Sequence, residues 1–184
     1  MSSIRDTWGT DAEERRLAFP CDDMILQPDD VLYRGVTVNA SPATGFRWLC
    51  QMRAAPYSYD WIDNGGRPSP AKLIPGLEDL AVGQDVMRIF TLAAFEKNIH
   101  LTLRLKTNSS ASQTFGDLAV SYVVVPIAGH DSLPRCRLLV KLIVKHPPGL
   151  YGRVMSLVLP WGDLIMMRRQ LLNLKRLAEE TVVS

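Results

Sequence analysis

Three cysteines, Cys21, Cys50 and Cys136, are all that this 184-residue chain contains, an odd number set far apart with no close pair to begin a zinc or redox site. A disulfide framework is thereby excluded, and a reducing cytoplasm is the expected location. The three histidines, His100, His130 and His146, show no ligand spacing such as a helical i, i+4 pair, so no metal is expected. No serine sits in a G-x-S-x-G elbow and no glycine-rich loop follows a strand, which removes the usual nucleophilic hydrolases and phosphate-binding folds. Neither sign of charge dominates: 21 basic against 19 acidic residues leave a net +2, spread along the chain, and nucleic acid is not expected as a partner. No apolar run approaches the roughly eighteen residues of a membrane span, and MSSIRDTWGTDAEERR lacks the apolar core of a secretory signal. Integral membrane association and cofactor binding are both unsupported.

What is present is the composition of an ordinary globular domain, 47% hydrophobic and 22% charged. A chain of this length buries roughly 70% of the surface its unfolded form exposes and needs no metal or disulfide to do so. Residues 1–30 read as an N-terminal extension. Thr10 followed by Glu13 makes a capping-box pattern that predicts a short helix over Asp11 to Ala18, ended by Pro20, and the leader is expected to pack on the outside of the domain.

Residues 31–184 read as one domain. Val31 to Asn39 alternates as a strand, and Ser41-Pro42 begins a helix to about Met52, since the serine oxygen caps free amides and proline loses nothing at the first helical position. Ile62 to Gln84 carries too many glycines and prolines for a regular element; it is either a cover for a pocket or a loop anchored by Leu73, Ile74, Leu77 and Leu80. Four strands follow, near Asp85 to Phe95, Ile99 to Lys106, Leu118 to Val125 and Arg137 to Lys145. Glu96-Lys97-Asn98 marks a hairpin, and Asn108 to Ser112 reads as a polar loop. Short connections favour antiparallel pairing. After Pro147-Pro148-Gly149 a long helical pattern runs to Glu180. Leu164, Met167, Leu171, Leu174 and Ala178 form its apolar stripe, widened by Ile165 and Leu172, while Asp163, Arg169, Gln170, Asn173, Arg176 and Glu180 fall on the other side. Pro160-Trp161-Gly162 is a place where that helix can kink or break.

The segments LYRGVTVNASP, YSYDWIDN and PWGDLIMMRRQLLNLKRLAEE resemble a bacterial branch of the START-like (SRPBCC) superfamily of lipid-transfer domains, polyketide cyclases and pollen-allergen relatives. The resemblance implies an α+β helix-grip fold, a curved antiparallel sheet around a long C-terminal helix with an apolar cavity between them. It also implies a hydrophobic small molecule as partner: a lipid, a polyketide or an aromatic compound. The residues expected to line the cavity are Tyr57, Tyr59, Trp61, Phe90, Leu101, Leu103, Tyr122, Trp161, Met167 and Leu171. Aromatics with polar handles suit a planar ligand, and methionine and tryptophan suit an adaptable wall. Three functions stay open: a binding or transport protein, a cyclase, aromatase or dehydratase acting by orientation and acid/base catalysis, and a protein-interaction module. For the second, Glu96, Asp63 and His100 are possible acid/base groups, and the residues select none of them.

Overall fold

The structure, a computed structural model, describes residues 3–128 and 134–183. Its frame is a six-stranded antiparallel sheet of β1 (Asp30–Val38), β2 (Asp85–Val86), β3 (Phe90–Glu96), β4 (His100–Leu105), β5 (Asp117–Ile127) and β6 (Arg135–Lys145). The spatial order is β1-β6-β5-β4-β3-β2, so the first strand closes the sheet against the last. Consecutive strands from β2 to β6 are neighbours, as their short connections require. The β1–β6 register sets Arg34 opposite Val140 and Leu32 opposite Leu142. A shift in pairing between Leu92 and Ala94 interrupts the β3–β4 ladder, the kind of irregularity that bends a strand.

Between β1 and β2 lie α2 (Pro42–Cys50) and the single turn α3 (Asp60–Asp63). The α2 start is built as its sequence demands: Pro42 is the first helical residue, and the Ser41 hydroxyl accepts from the Thr44 amide at 3.1 Å. Phe46, Trp48, Leu49 and Cys50 point into the core. The stretch expected to be a polar loop instead begins α4 (Ser110–Phe115). Ser109 and Ser112 form a reciprocal capping box at its start, a signal their serine-rich surroundings disguise.

The closing helix α5 (Leu150–Val183) runs through Pro160 without a break. Proline supplies no amide to the Ser156 carbonyl one turn back. On the sheet side, the Pro160 carbonyl accepts from Arg34 Nη2 at 3.4 Å. The main core joins Leu171, Leu174, Leu177 and Ala178 of α5 to α2 and to the concave side of the sheet through Leu32, Val38, Val120, Leu138 and Val140. The C-terminal part of the predicted stripe is thus buried. Ile165 and Leu172, expected to widen it, are exposed, while Gln170, placed on the polar side, is buried.

The leader differs from its expected form. It holds a short helix α1 (Ile4–Thr7) and a 3-10 turn at Glu14–Arg16. The capping pair is displaced by one residue: Asp11 Oδ1 accepts from the Glu14 amide and Glu14 Oε2 from the Asp11 amide. Asp11 is the better cap, and Glu14 then also reaches Arg137 at 2.6 Å. Gly9, at φ +76°, lies where a side-chain carbon would come within 2.1 Å of the Gly35 carbonyl, so the leader's first turn rests directly on β1. Farther on, Phe19, Cys21 and Ile25 cover Leu139, Ile143 and Ala119 on the convex face of the sheet. The face of β6 that carries Leu139 and Ile143 is therefore largely roofed by the leader.

Candidate functional site

The long helix does not fill the space it spans. A cavity of about 780 Å³ lies between α5 and the open end of the sheet. Its floor is Phe90, Leu105, Leu118, Val120, Tyr122 and Leu142 from four strands, with Phe115 of α4 beside them. Its roof is the first half of α5 and the turn beyond, from Met155, Val158 and Leu159 to Met166, Met167 and Gln170. One side is a strap through Pro56, Ser58, Ile62 and Asp63, the other the β2–β3 turn at Met87, Arg88 and Ile89. The chain produces this space because alternation aims every second residue of each strand inward, while the helix above presents flexible methionines and, at Gly162, no side chain at all.

Few polar groups reach the cavity, and most are held. The buried Tyr122 hydroxyl donates to Gln170 Oε1 at 2.8 Å, and Gln170 Nε2 donates to the Pro56 carbonyl at 2.6 Å. Asn173 Nδ2, one turn on, donates to the Tyr57 carbonyl at 2.9 Å. This ladder ties sheet, helix and strap together and satisfies buried polar atoms that would otherwise be costly. Burial raises the Tyr122 pKa, assisted by the nearby Asp163 charge, so the phenol remains a neutral donor.

Asp163 is the second polar feature of the wall. Its side chain is only 10% exposed and lies 2.7 Å from Arg34 Nη2, the guanidinium being buried. The contact is one of charge more than of aligned hydrogen bonds: Arg34 Nε and Asp163 Oδ2 both lack a hydrogen-bond partner. Burial pushes the Asp163 carboxyl up to about 6, with Arg34 opposing the rise. Asp63 also lines the cavity; burial raises its pKa, opposed by its contact with the Ser58 hydroxyl. Burial lowers the pKa of His100, on β4 outside the cavity lining.

Of the residues expected at the site, Phe90, Tyr122 and Met167 meet at this cavity. Leu101, Leu103 and Leu171 are fully buried in the core beside it but do not form its wall. Tyr57, Tyr59 and Trp61 do come together, but around a separate, polar concavity of about 440 Å³ on the outer side of the strap, with Asp60, Arg169, Asn173 and Arg176. Arg169 lies 5.8 Å from the centre of the Tyr59 ring. Trp161, expected to face the sheet, is 52% exposed on the outer side of α5. Its position follows from the turn angle: a residue six places before the buried Met167 lies about 120° around the helix from it, off the sheet side. Sequence reasoning missed Arg34, Asp163 and Gln170. An arginine among β-branched residues was the one available sign that an inward charge needed a partner. Among the described residues, no group of three histidine, cysteine or acidic side chains is placed to hold a metal; His130 lies outside them.

No family model matches the chain, and a search of curated proteins finds no match. Solved structures do match. A protein of Nitrosospira multiformis, determined in a structural genomics programme, shares 12% identity at a TM-score of 0.52, the alignment covering 84% of this chain and 99% of the other. The chain has the helix-grip fold. Other likenesses to this helix-grip chain are a structural-genomics protein of Mesorhizobium loti, with 15% identity, TM-score 0.49 and coverage of 82% and 98%, and norcoclaurine synthase from Thalictrum flavum, with 12% identity, TM-score 0.46 and coverage of 84% and 87%. At these identities the likeness concerns the fold, and function is argued from the cavity itself.

Proposed function

We propose that this helix-grip protein binds or carries a hydrophobic small molecule, a lipid, polyketide or aromatic compound, in the cavity beneath α5. The observation that carries this reading is a cavity of about 780 Å³ walled mainly by leucine, valine, isoleucine, phenylalanine and methionine. That volume lies within the range of small-molecule sites, and an apolar lining favours an apolar guest over water. Tyr122 and Gln170 are already bonded to each other, so the guest is held chiefly by apolar contact.

The presence of Asp63 and Asp163 on the wall, both with raised pKa values, favours a second reading, an acid/base cyclase, aromatase or dehydratase. Native mass spectrometry of the purified protein, followed by denaturing extraction, separates the cases. A stoichiometric apolar compound, recovered unchanged after incubation, supports carriage. A compound converted on incubation, with conversion lost in Asp63→Asn or Asp163→Asn, supports the enzyme. No bound compound and no saturable uptake of an environment-sensitive apolar fluorophore would overturn both.

A further inference from the structure

The outer face of α5 is unusual for a water-exposed helix. Leu150, Val154, Leu157, Val158, Trp161 and Ile165 are all exposed, Leu157 by 65%. At 100° per residue they fall within an arc of about 100° and make a stripe about 23 Å long. Solvated helix faces are ordinarily polar, and an apolar strip of this length marks a contact surface. From Leu150 to Gly162 the one charged residue is Arg153. On the same side of the helix, the next turns carry the exposed Arg168, Arg169 and Arg176. Arg168 and Arg169 lie over the rings of Trp8 and Tyr59 rather than in ion pairs among the described residues. The nearby carboxylates are committed elsewhere: Asp163 to Arg34, Glu179 to Lys175, Glu180 to Arg176 and Asp60 to Ser69.

We propose that this face docks flat on an anionic lipid surface. The apolar first half of α5 would enter the boundary between headgroups and acyl chains, and the arginines that follow would meet the lipid phosphates. An apolar face joined to basic residues is what an interfacial helix requires, and the half-exposed Tyr151 and Trp161 pair an apolar ring with a polar tip suited to that depth. A second copy of the chain is the poorer fit, because the charges on this face are mainly cations, with the exposed Glu180 paired to Arg176 and no acidic patch to complement the rest. The location adds a reason. Val158, Ile62 and Ile89 are at once exposed surface and cavity wall, so the cavity's edge meets the stripe and docking brings it against the bilayer.

The test is co-sedimentation with phosphatidylcholine vesicles, with and without phosphatidylglycerol. The protein should bind the anionic vesicles, weaken as salt rises, and lose more than about tenfold in affinity in Leu157→Glu/Trp161→Glu. Arg168→Gln/Arg169→Gln should cost up to about fivefold for each arginine. The substituted positions are exposed, so melting temperatures should hold; should the first double variant fail to fold, Val154→Asp serves in its place. Absence of binding by the unaltered protein, or binding that the apolar variant leaves intact, overturns the proposal. So does a dimer in light scattering that the apolar variant makes monomeric while vesicles are ignored. Fluorophore uptake by the cavity, measured without vesicles, is a separate readout and does not share this failure.

Discussion

The two halves of α5 follow the same helical geometry and meet different surroundings. From Leu171 to Ala178 the helix lies on a filled core, and Leu171, Leu174 and Ala178 have no exposed surface at all. From Leu150 to Ile165 it bridges a cavity, and most of its large apolar side chains face outward. Burial in the first case is an outcome of periodicity, since a stripe at three-and-four spacing has a matching surface to meet. In the second, large apolar residues stand on both the cavity side and the outer side of the helix, interrupted by Arg153, Ser156 and Asp163, and a helix of that kind needs a partner on each side. The guest supplies one side in the proposed function, and the lipid surface the other.

The largest way to disturb this comparison is at the join between the halves. Arg34→Met removes the buried counter-charge of Asp163 and should cost about 4 kcal/mol, read by urea unfolding. Adding Asp163→Leu should recover most of the loss, because the burden lies in the unpaired charge and not in the missing pair. Recovery of none of it would show that the two residues are uncoupled.

The same carboxyl makes stability depend on pH. In the fold it holds its proton up to about 6, and in the unfolded chain only to its ordinary 3.8. Between those values the native state binds more protons, so stability should fall as pH rises from about 4 to 6 and then level. The full change from this group is on the order of 3 kcal/mol. Asp163→Asn should abolish that part of the slope; an unchanged slope would assign it elsewhere.

Leu171→Ala tests the filled half directly. A leucine with no exposed surface, packed on the core, should cost about 3 kcal/mol on truncation. A loss near zero would mean that the second half of the helix is no better supported than the first. Tyr122→Phe should cost about 1 kcal/mol, because Gln170 Oε1 loses its donor while the ring stays in place. The strap should loosen with it, seen as faster amide exchange around Pro56 to Ser58.

Much of the architecture is legible in the chain because local signals and global fold agree there. Ser41-Pro42, the alternation of β6 and the stripe from Met167 to Ala178 each name their own conformation. The wall of the cavity is less legible, for physical reasons. Arg34 and Asp163 are separated by most of the domain, and neither has a local feature that names its partner. Gln170 looks polar on a helical wheel, yet it is buried because Tyr122 and Pro56 offer it a donor and an acceptor, respectively, across three elements. The aromatics Tyr57, Tyr59 and Trp61 announce a cluster by proximity, but which side of the strap they occupy depends on backbone turns such as the positive φ of Tyr57, +58°.

Leu157→Ala has the smallest expected effect and bears most closely on the contrast between the halves. In water this residue is 65% exposed, so its truncation removes little that folding had buried, and stability should change by less than about 0.5 kcal/mol. The same substitution should weaken vesicle binding, since the side chain would enter an apolar medium only there, and each buried methylene lost is worth about 0.8 kcal/mol. Leu171→Ala should behave in the opposite way, with a large loss of stability and no direct loss of lipid affinity. Two leucines on one helix, fourteen residues apart, would then report separately on what α5 does for the fold and what it does for the protein's surroundings. A Leu157→Ala variant that unfolded as readily as Leu171→Ala would place Leu157 in the core and remove the difference between the two halves.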